Sequence, residues 1–188
     1  MDMLSSLPGL IAAQDWPRAE ALLRRAARKK GAPAEVFYNL AKVLEARGAA
    51  EQMGSWLRRA VAARPDYGLA WFELGRWALT ADDADLAYDA FRAALRLLPG
   101  DLDARVNLGR LALRRGAWDA AARAWDGVAG PEADIARFRI AAETGQNTPE
   151  DLSRLLRDPA TRGLALQAMT RTARGCVPLT LPPVDQRR

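Results

Sequence analysis

Apolar residues recur along most of the chain at intervals of three and four positions, a spacing typical of helices that bury one face. The segment from Ala34 to Gly48 shows this clearly, with an apolar stripe at Phe37, Leu40 and Leu44. Glycine or proline follows the stripes and ends the helices. The pattern therefore predicts helices joined by short turns, and an all-α fold.

The predicted helices come in pairs, and the pairs repeat every 34 residues. Corresponding positions in three successive segments are Phe37, Leu40, Ala41 and Leu57; Trp71, Leu74, Gly75 and Phe91; and Arg105, Leu108, Gly109 and Trp125. A period of 34 indicates a helix-turn-helix unit that stacks on copies of itself. Within each unit a small residue (positions 41, 75 and 109) is expected to face a large one (positions 57, 91 and 125), so that the two helices interdigitate.

The best-formed segment carries the pattern Trp-x-x-Leu-Gly, then Ala-x-x-x-Phe, then Pro, at Trp71, Leu74, Gly75, Ala87, Phe91 and Pro99. In this pattern and spacing the chain resembles the tetratricopeptide repeat (TPR) family. The resemblance implies a right-handed α-α superhelix, a solenoid of about four to five helix-turn-helix units with C-terminal capping helices. The expected repeats cover residues 1–33, 34–67, 68–101 and 102–131, followed by a degenerate cap at 132–174, all in one domain of residues 1–174. The Pro-rich residues 175–188 are expected to form an extended tail or linker.

Two residues depart from the family's pattern. Arg105 stands where a large apolar residue is usual, and we expect its stem to be packed and its guanidinium to lie in water. Asp82 replaces a turn glycine.

Composition narrows the chemistry. The chain has no histidine and one cysteine, Cys176, which excludes a zinc site and a Cys/His or Ser/His nucleophile within it. The acidic residues are scattered over helix surfaces, so we expect no enzyme activity, no metal and no cofactor. Without an apolar run long enough to cross a membrane or a recognisable secretion signal, we expect a cytoplasmic protein that does not bind membranes.

The net charge of the chain is +5, and 25 of its 28 basic residues are arginine. One interpretation is an acidic partner. The other is a bacterial-like composition, rich in alanine and arginine, that follows from a GC-rich genome.

In proteins of this family the first helix of each repeat lines a concave groove, where ligands lie. On that face Lys42, Arg76 and Arg110 are 34 residues apart, which predicts a column of cations along the groove. The resemblance and the helical spacing together predict a peptide-binding site formed by Tyr38, Asn39, Lys42, Phe72, Glu73, Arg76, Leu79, Asn107, Arg110 and Arg114. Cations beside aromatic and aliphatic groups suit an acidic, partly hydrophobic peptide or protein surface.

The predicted function is a noncatalytic protein-protein interaction module or scaffold. Several alternatives stay open at this stage. Duplication of the repeat would copy the cation column without any role in binding. The chain would also suit the substrate-recognition arm of a larger or separate modifying enzyme, such as a glycosyl-, sulfo- or methyltransferase, or self-assembly through an open end of the solenoid. We do not expect nucleic-acid binding, because the basic runs are not interleaved with aromatic residues.

Overall fold

The structure is a computed structural model that describes residues 4–146 and 149–169. These residues form eleven α-helices and no strand, so the predicted all-α fold is confirmed. A short 3-10 turn at Ala50–Gln52 leads into the fourth helix. The helices are α1 (Leu7–Ala12), α2 (Trp16–Ala27), α3 (Ala34–Ala46), α4 (Met53–Ala63), α5 (Gly68–Thr80), α6 (Ala84–Leu97), α7 (Leu102–Arg115), α8 (Trp118–Trp125), α9 (Pro131–Thr144), α10 (Pro149–Arg157) and α11 (Pro159–Met169).

The chain divides into two compact units, with the boundary between Leu111 and Ala112 inside α7. The first unit contains α1 to α6 and most of α7. The second contains the end of α7 and α8 to α11. The prediction of one domain over residues 1–174 stays a prediction. The Pro-rich tail at 175–188, with Cys176, lies outside the described residues.

The turn between the two helices of each pair follows the 34-residue period. A residue with a positive φ angle occurs at the same place in four turns, at Gln14 (54°), Gly48 (83°), Asp82 (55°) and Gly116 (68°). The next residue's backbone N–H donates to the carbonyl five positions earlier: Asp15 to Leu10 (2.9 Å), Ala49 to Leu44 (2.8 Å), Asp83 to Ala78 (2.9 Å) and Ala117 to Ala112 (2.9 Å). This hydrogen bond satisfies a carbonyl left open at the helix end. Asp82 thus adopts the conformation that glycine adopts in two of the other turns.

Within a hairpin the helices pack as the sequence predicts. A Cβ atom on Gly75 of α5 would lie 3.0 Å from the ring carbons of Phe91 on α6, so only glycine allows this close approach. Phe91 is fully buried, and so are Ala41 and Leu57 at the same positions one repeat earlier.

Between neighbouring hairpins of the first unit, a second glycine meets an aromatic ring. A Cβ on Gly54 of α4 would overlap the indole of Trp77 on α5. The guanidinium carbon of Arg58 lies 4.9 Å from the centre of the same indole. Sequence reasoning placed Trp77 in the core, but it is only half-buried.

Arg105 corrects the expectation that its guanidinium lies in water. Its Nη2 donates to the carbonyl oxygen of Pro99 at 3.1 Å. One repeat earlier, Nε1 of Trp71 donates to the carbonyl of Pro65 at 2.8 Å. Both donors and both prolines are 34 residues apart, so the arginine keeps the hydrogen bond that the tryptophan makes.

In the second unit, α9, α10 and α11 pack around one apolar cluster, which includes Phe138, Leu155 and Ala165. Arg137 of α9 ties the end of α8 to this helix, because its Nη1 donates to the carbonyls of Trp125 (3.2 Å) and Val128 (2.8 Å). These are the helices that the sequence predicts for the cap. Residues 170–174 of the predicted cap lie outside the described residues.

Candidate functional site

The first unit contains an open cavity of about 350 Å³, bounded by the end of α3, the start of α4, the length of α5 and the first turns of α7. We call it the groove. Its apolar lining residues are Ala50, Met53, Phe72, Trp77 and Leu79, and its polar lining residues are Glu45, Glu73, Arg76, Thr80, Asp103 and Asn107.

Helix α5 supplies the largest share of the lining. Phe72, Arg76 and Leu79 are four and three positions apart, so they lie on one side of the helix. The ring of Phe72 is held by an edge-on contact with Phe91, with 5.7 Å between ring centres. Leu79 stays 36% exposed. The groove therefore offers an apolar surface to solvent on a helix that is fixed from behind.

A network of two cations and two carboxylates joins α3 to α5 beside these residues. Glu73 is buried and accepts hydrogen bonds from Lys42 Nζ at 3.0 Å and from Arg76 Nη1 at 2.8 Å. Glu45 accepts from Lys42 Nζ as well, and Arg76 Nη2 lies 3.4 Å from its Oε1. Each charge in the network therefore faces two of the opposite sign.

The network keeps its members ionised. Burial by itself would lower the pKa of Lys42, but hydrogen bonds to Glu45 and Glu73 outweigh it and raise that pKa above its usual value. The hydrogen bond from Lys42 is the main cause that lowers the pKa of Glu45, with burial opposing it and the charges of Lys42 and Arg76 adding to it. The Glu45 contribution to stability is complete above the pKa of the unfolded chain and is lost as pH falls through the lowered value. The Lys42 contribution is lost only as pH rises through its raised value, so both are present at neutral pH.

The structure brings five of the ten predicted site residues to the groove. These are Phe72, Glu73, Arg76, Leu79 and Asn107. Lys42 stands behind the lining and holds Glu45 and Glu73. Asn107 donates from Nδ2 to the backbone carbonyl of Asp103 at 2.9 Å.

The other predicted residues lie elsewhere. Tyr38 and Asn39 are half-buried on α3 outside the groove lining. The Tyr38 ring is 5.1 Å from that of Tyr67, and burial raises the pKa of its hydroxyl. Arg110 is exposed on α7, and it also has an interaction within the chain. Arg114 is exposed and belongs to the second unit.

The predicted cation column is therefore not a row of unpaired charges. Two of its three members, Lys42 and Arg76, already hold carboxylates of the same chain. Whether the column takes part in binding stays a prediction.

Sequence reasoning missed several groove residues. Glu45 and Asp103 lie three or four positions from Lys42 and Asn107 on the same helices, so helical spacing could have found them. Ala50, Met53 and Trp77 carry no such signal, because they reach the groove only through the packing of α4 against α5.

Among the described residues, no group of three or more histidine, cysteine or acidic side chains is placed to hold a metal ion. No helix in the described part of the chain is both long and apolar enough to span a bilayer.

No family model matches the sequence, and neither does any curated protein. Solved structures do. The chain is similar to YrrB, a TPR protein with an unusual peptide-binding site, with a TM-score of 0.70 and 18% identity over 89% of this chain and 90% of that one. It is also similar to MamA, with a TM-score of 0.64 and 19% identity over 96% of both chains. The chain has the tetratricopeptide-repeat fold.

The TPR fold accounts for the two regularities described above. The left-handed turn residues at intervals of 34 are the turns inside successive TPR hairpins, and Gly75 against Phe91 is the close approach of the two TPR helices. The resemblance predicted from the sequence is confirmed at the level of the fold.

Proposed function

We propose that this chain is a noncatalytic protein-interaction module that binds a peptide segment of another protein in the groove. One observation carries the proposal: Leu79 and Phe72 present apolar surface to solvent in an open groove whose other lining residues are mostly polar. An apolar centre with a polar rim is the usual arrangement of a protein interface. YrrB, which has the same fold, has a peptide-binding site, and this supports the proposal.

The size of the groove suits side chains of a peptide. About 350 Å³ is at the lower end of the range for ligand sites. That volume holds one large apolar side chain with its neighbours and leaves the rest of the segment on the surface. The predicted binding residues Tyr38, Asn39, Arg110 and Arg114 would be reached only by a longer partner.

The sequence predicts an acidic partner, and this prediction must now include the ion network. A carboxylate from a partner would reach Lys42 or Arg76 by exchange with Glu45 or Glu73. Glu45 is the more exposed of the two and the more exchangeable. Mutation of Arg76 is a poor test, because the change also leaves buried Glu73 with one partner fewer.

The same groove would serve the alternative function, a substrate-recognition arm of a modifying enzyme. That alternative predicts that the natural reading frame continues beyond Arg188, which sequencing of the locus tests. A cytoplasmic location likewise stays a prediction, which cell fractionation tests.

The proposed function is tested by selecting a random dodecapeptide library, displayed on phage, against the immobilised chain. The winning peptides are then measured by fluorescence anisotropy against Leu79→Ser. Loss of the apolar contact is expected to weaken binding about tenfold. Leu69→Ser is the matched control, because Leu69 is on the same helix, is 49% exposed and does not line the groove. Winners that bind both variants as well as the parent would contradict the proposal.

A further inference from the structure

We propose that the bound segment carries an arginine next to its apolar anchor, and that Asp103 receives this arginine. The inference rests on the proposed function and specifies its partner. Its starting point is the sign of the charges around the groove. Three carboxylates, Glu45, Glu73 and Asp103, line it against one cation, Arg76.

This sign is opposite to that of the whole chain, which carries a net charge of +5. A composition rich in arginine would place cations here by chance more often than carboxylates. The acidic lining is therefore not a reflection of the overall composition, and it favours a basic segment by charge complementarity.

The three carboxylates differ in how much acceptor capacity they retain. Glu73 and Glu45 each face both Lys42 and Arg76. Asp103 is exposed, and within residues 4–146 and 149–169 no side chain pairs with its carboxylate. The hydrogen bond from Asn107 goes to the Asp103 main-chain carbonyl and leaves both carboxylate oxygens as acceptors.

Asp103 is also held in its ionised form by its position. It is in the first turn of α7, where the helix dipole favours negative charge. Arg76, the one cation in the lining, is already bonded to Glu73 at 2.8 Å and gains less from a further carboxylate.

The surroundings of Asp103 favour arginine over lysine. Phe72 lines the same groove and offers a ring on which a guanidinium can stack. A planar guanidinium can also contact a carboxylate through two parallel hydrogen bonds, which an ammonium cannot. The apolar stem of the arginine would pack beside Leu79.

The test uses the same peptide selection and reads the charge of the winners. Peptides whose binding depends on Leu79 are expected to share an arginine within a few positions of a large apolar residue. Replacing that arginine by glutamine should weaken binding about tenfold, and replacing it by glutamate should weaken it further. The difference should shrink as salt is raised from about 50 mM to about 500 mM.

The assignment to Asp103 is tested with Asp103→Asn. This variant should bind the arginine and glutamine peptides about equally. Asp66→Asn is the matched control, since Asp66 is an exposed carboxylate of the first unit that does not line the groove, and it should keep the full preference. An urea unfolding curve for each variant shows that the fold is intact.

The outcomes separate the two proposals. Winners that depend on Leu79 but are acidic, or an arginine preference that survives in Asp103→Asn, would overturn this inference and leave the groove as the binding site. If no winner depends on Leu79, the proposed function fails, and the inference fails with it.

Discussion

Two glycines of the first unit pack against aromatic rings, and only one of these contacts follows the repeat. Gly75 meets Phe91 inside a hairpin, at positions where the previous repeat has Ala41 and Leu57. Gly54 meets Trp77 between hairpins. The residues 34 positions away from Gly54 and Trp77 are Glu20 and Val43 on one side and Tyr88 and Leu111 on the other, which preserve neither size nor polarity.

The comparison shows what a sequence period can predict. It compares each residue with its own copy in the next repeat, so it finds contacts that every repeat makes within itself. A contact between two different repeats is formed by a pair of positions that can change together. Gly54 and Trp77 are one such pair, and the large ring occupies the space that the missing side chain leaves.

The largest effect is expected from Gly54→Ala. The new methyl group would overlap the Trp77 indole, which cannot move away freely because Arg58 lies 4.9 Å from its other neighbours' ring centre at the same indole. We expect a loss of about 2–3 kcal/mol in the free energy of unfolding, measured by urea denaturation. Gly163→Ala in α11 is the control. Nothing lies within 4 Å of a Cβ there, so the better helix propensity of alanine should add about 0.5–1 kcal/mol.

A smaller effect is expected from Gly75→Ala. The new Cβ lies at 3.0 Å from the Phe91 ring, and the resulting strain is partly offset by helix propensity, which leaves a loss of about 1 kcal/mol. The double variant Gly75→Ala with Phe91→Leu recreates the Ala41–Leu57 pair of the previous repeat. In a double-mutant cycle, alanine at position 75 should cost less beside leucine than beside phenylalanine. Equal costs in both backgrounds would show that this contact is not the one that fixes the glycine.

The smallest effect is expected at a turn that keeps the period with an unfavourable residue. Asp82 has a φ angle of 55°, which glycine adopts without strain. Asp82→Gly should raise the free energy of unfolding by about 0.5–1 kcal/mol. The reciprocal change Gly48→Asp should lower it by a similar amount, and thermal unfolding of the two variants would measure both. A loss of stability in Asp82→Gly would mean that the aspartate side chain contributes more than the backbone strain removes.

The fold could be predicted from the sequence because its determinants are local and repeated. Apolar spacing defines each helix, and a residue such as Gly48 ends it. The site was harder to predict. Helical spacing placed Phe72, Arg76 and Leu79 on one side of α5, where they do line the groove. It could not predict that Lys42 bonds to Glu73, since these residues are on different helices and 31 positions apart.

The hydrogen bond from position 105 to the carbonyl of Pro99 has a consequence for how such chains diverge. A guanidinium there reproduces the link that an indole makes at Trp71, so a signature residue of the repeat can be lost while the backbone it supports is retained. Substitutions of this type remove the letters by which a lineage is recognised and leave its architecture standing. Distant members of a superfamily are then found by superposition of their coordinates and missed by profiles of their sequences.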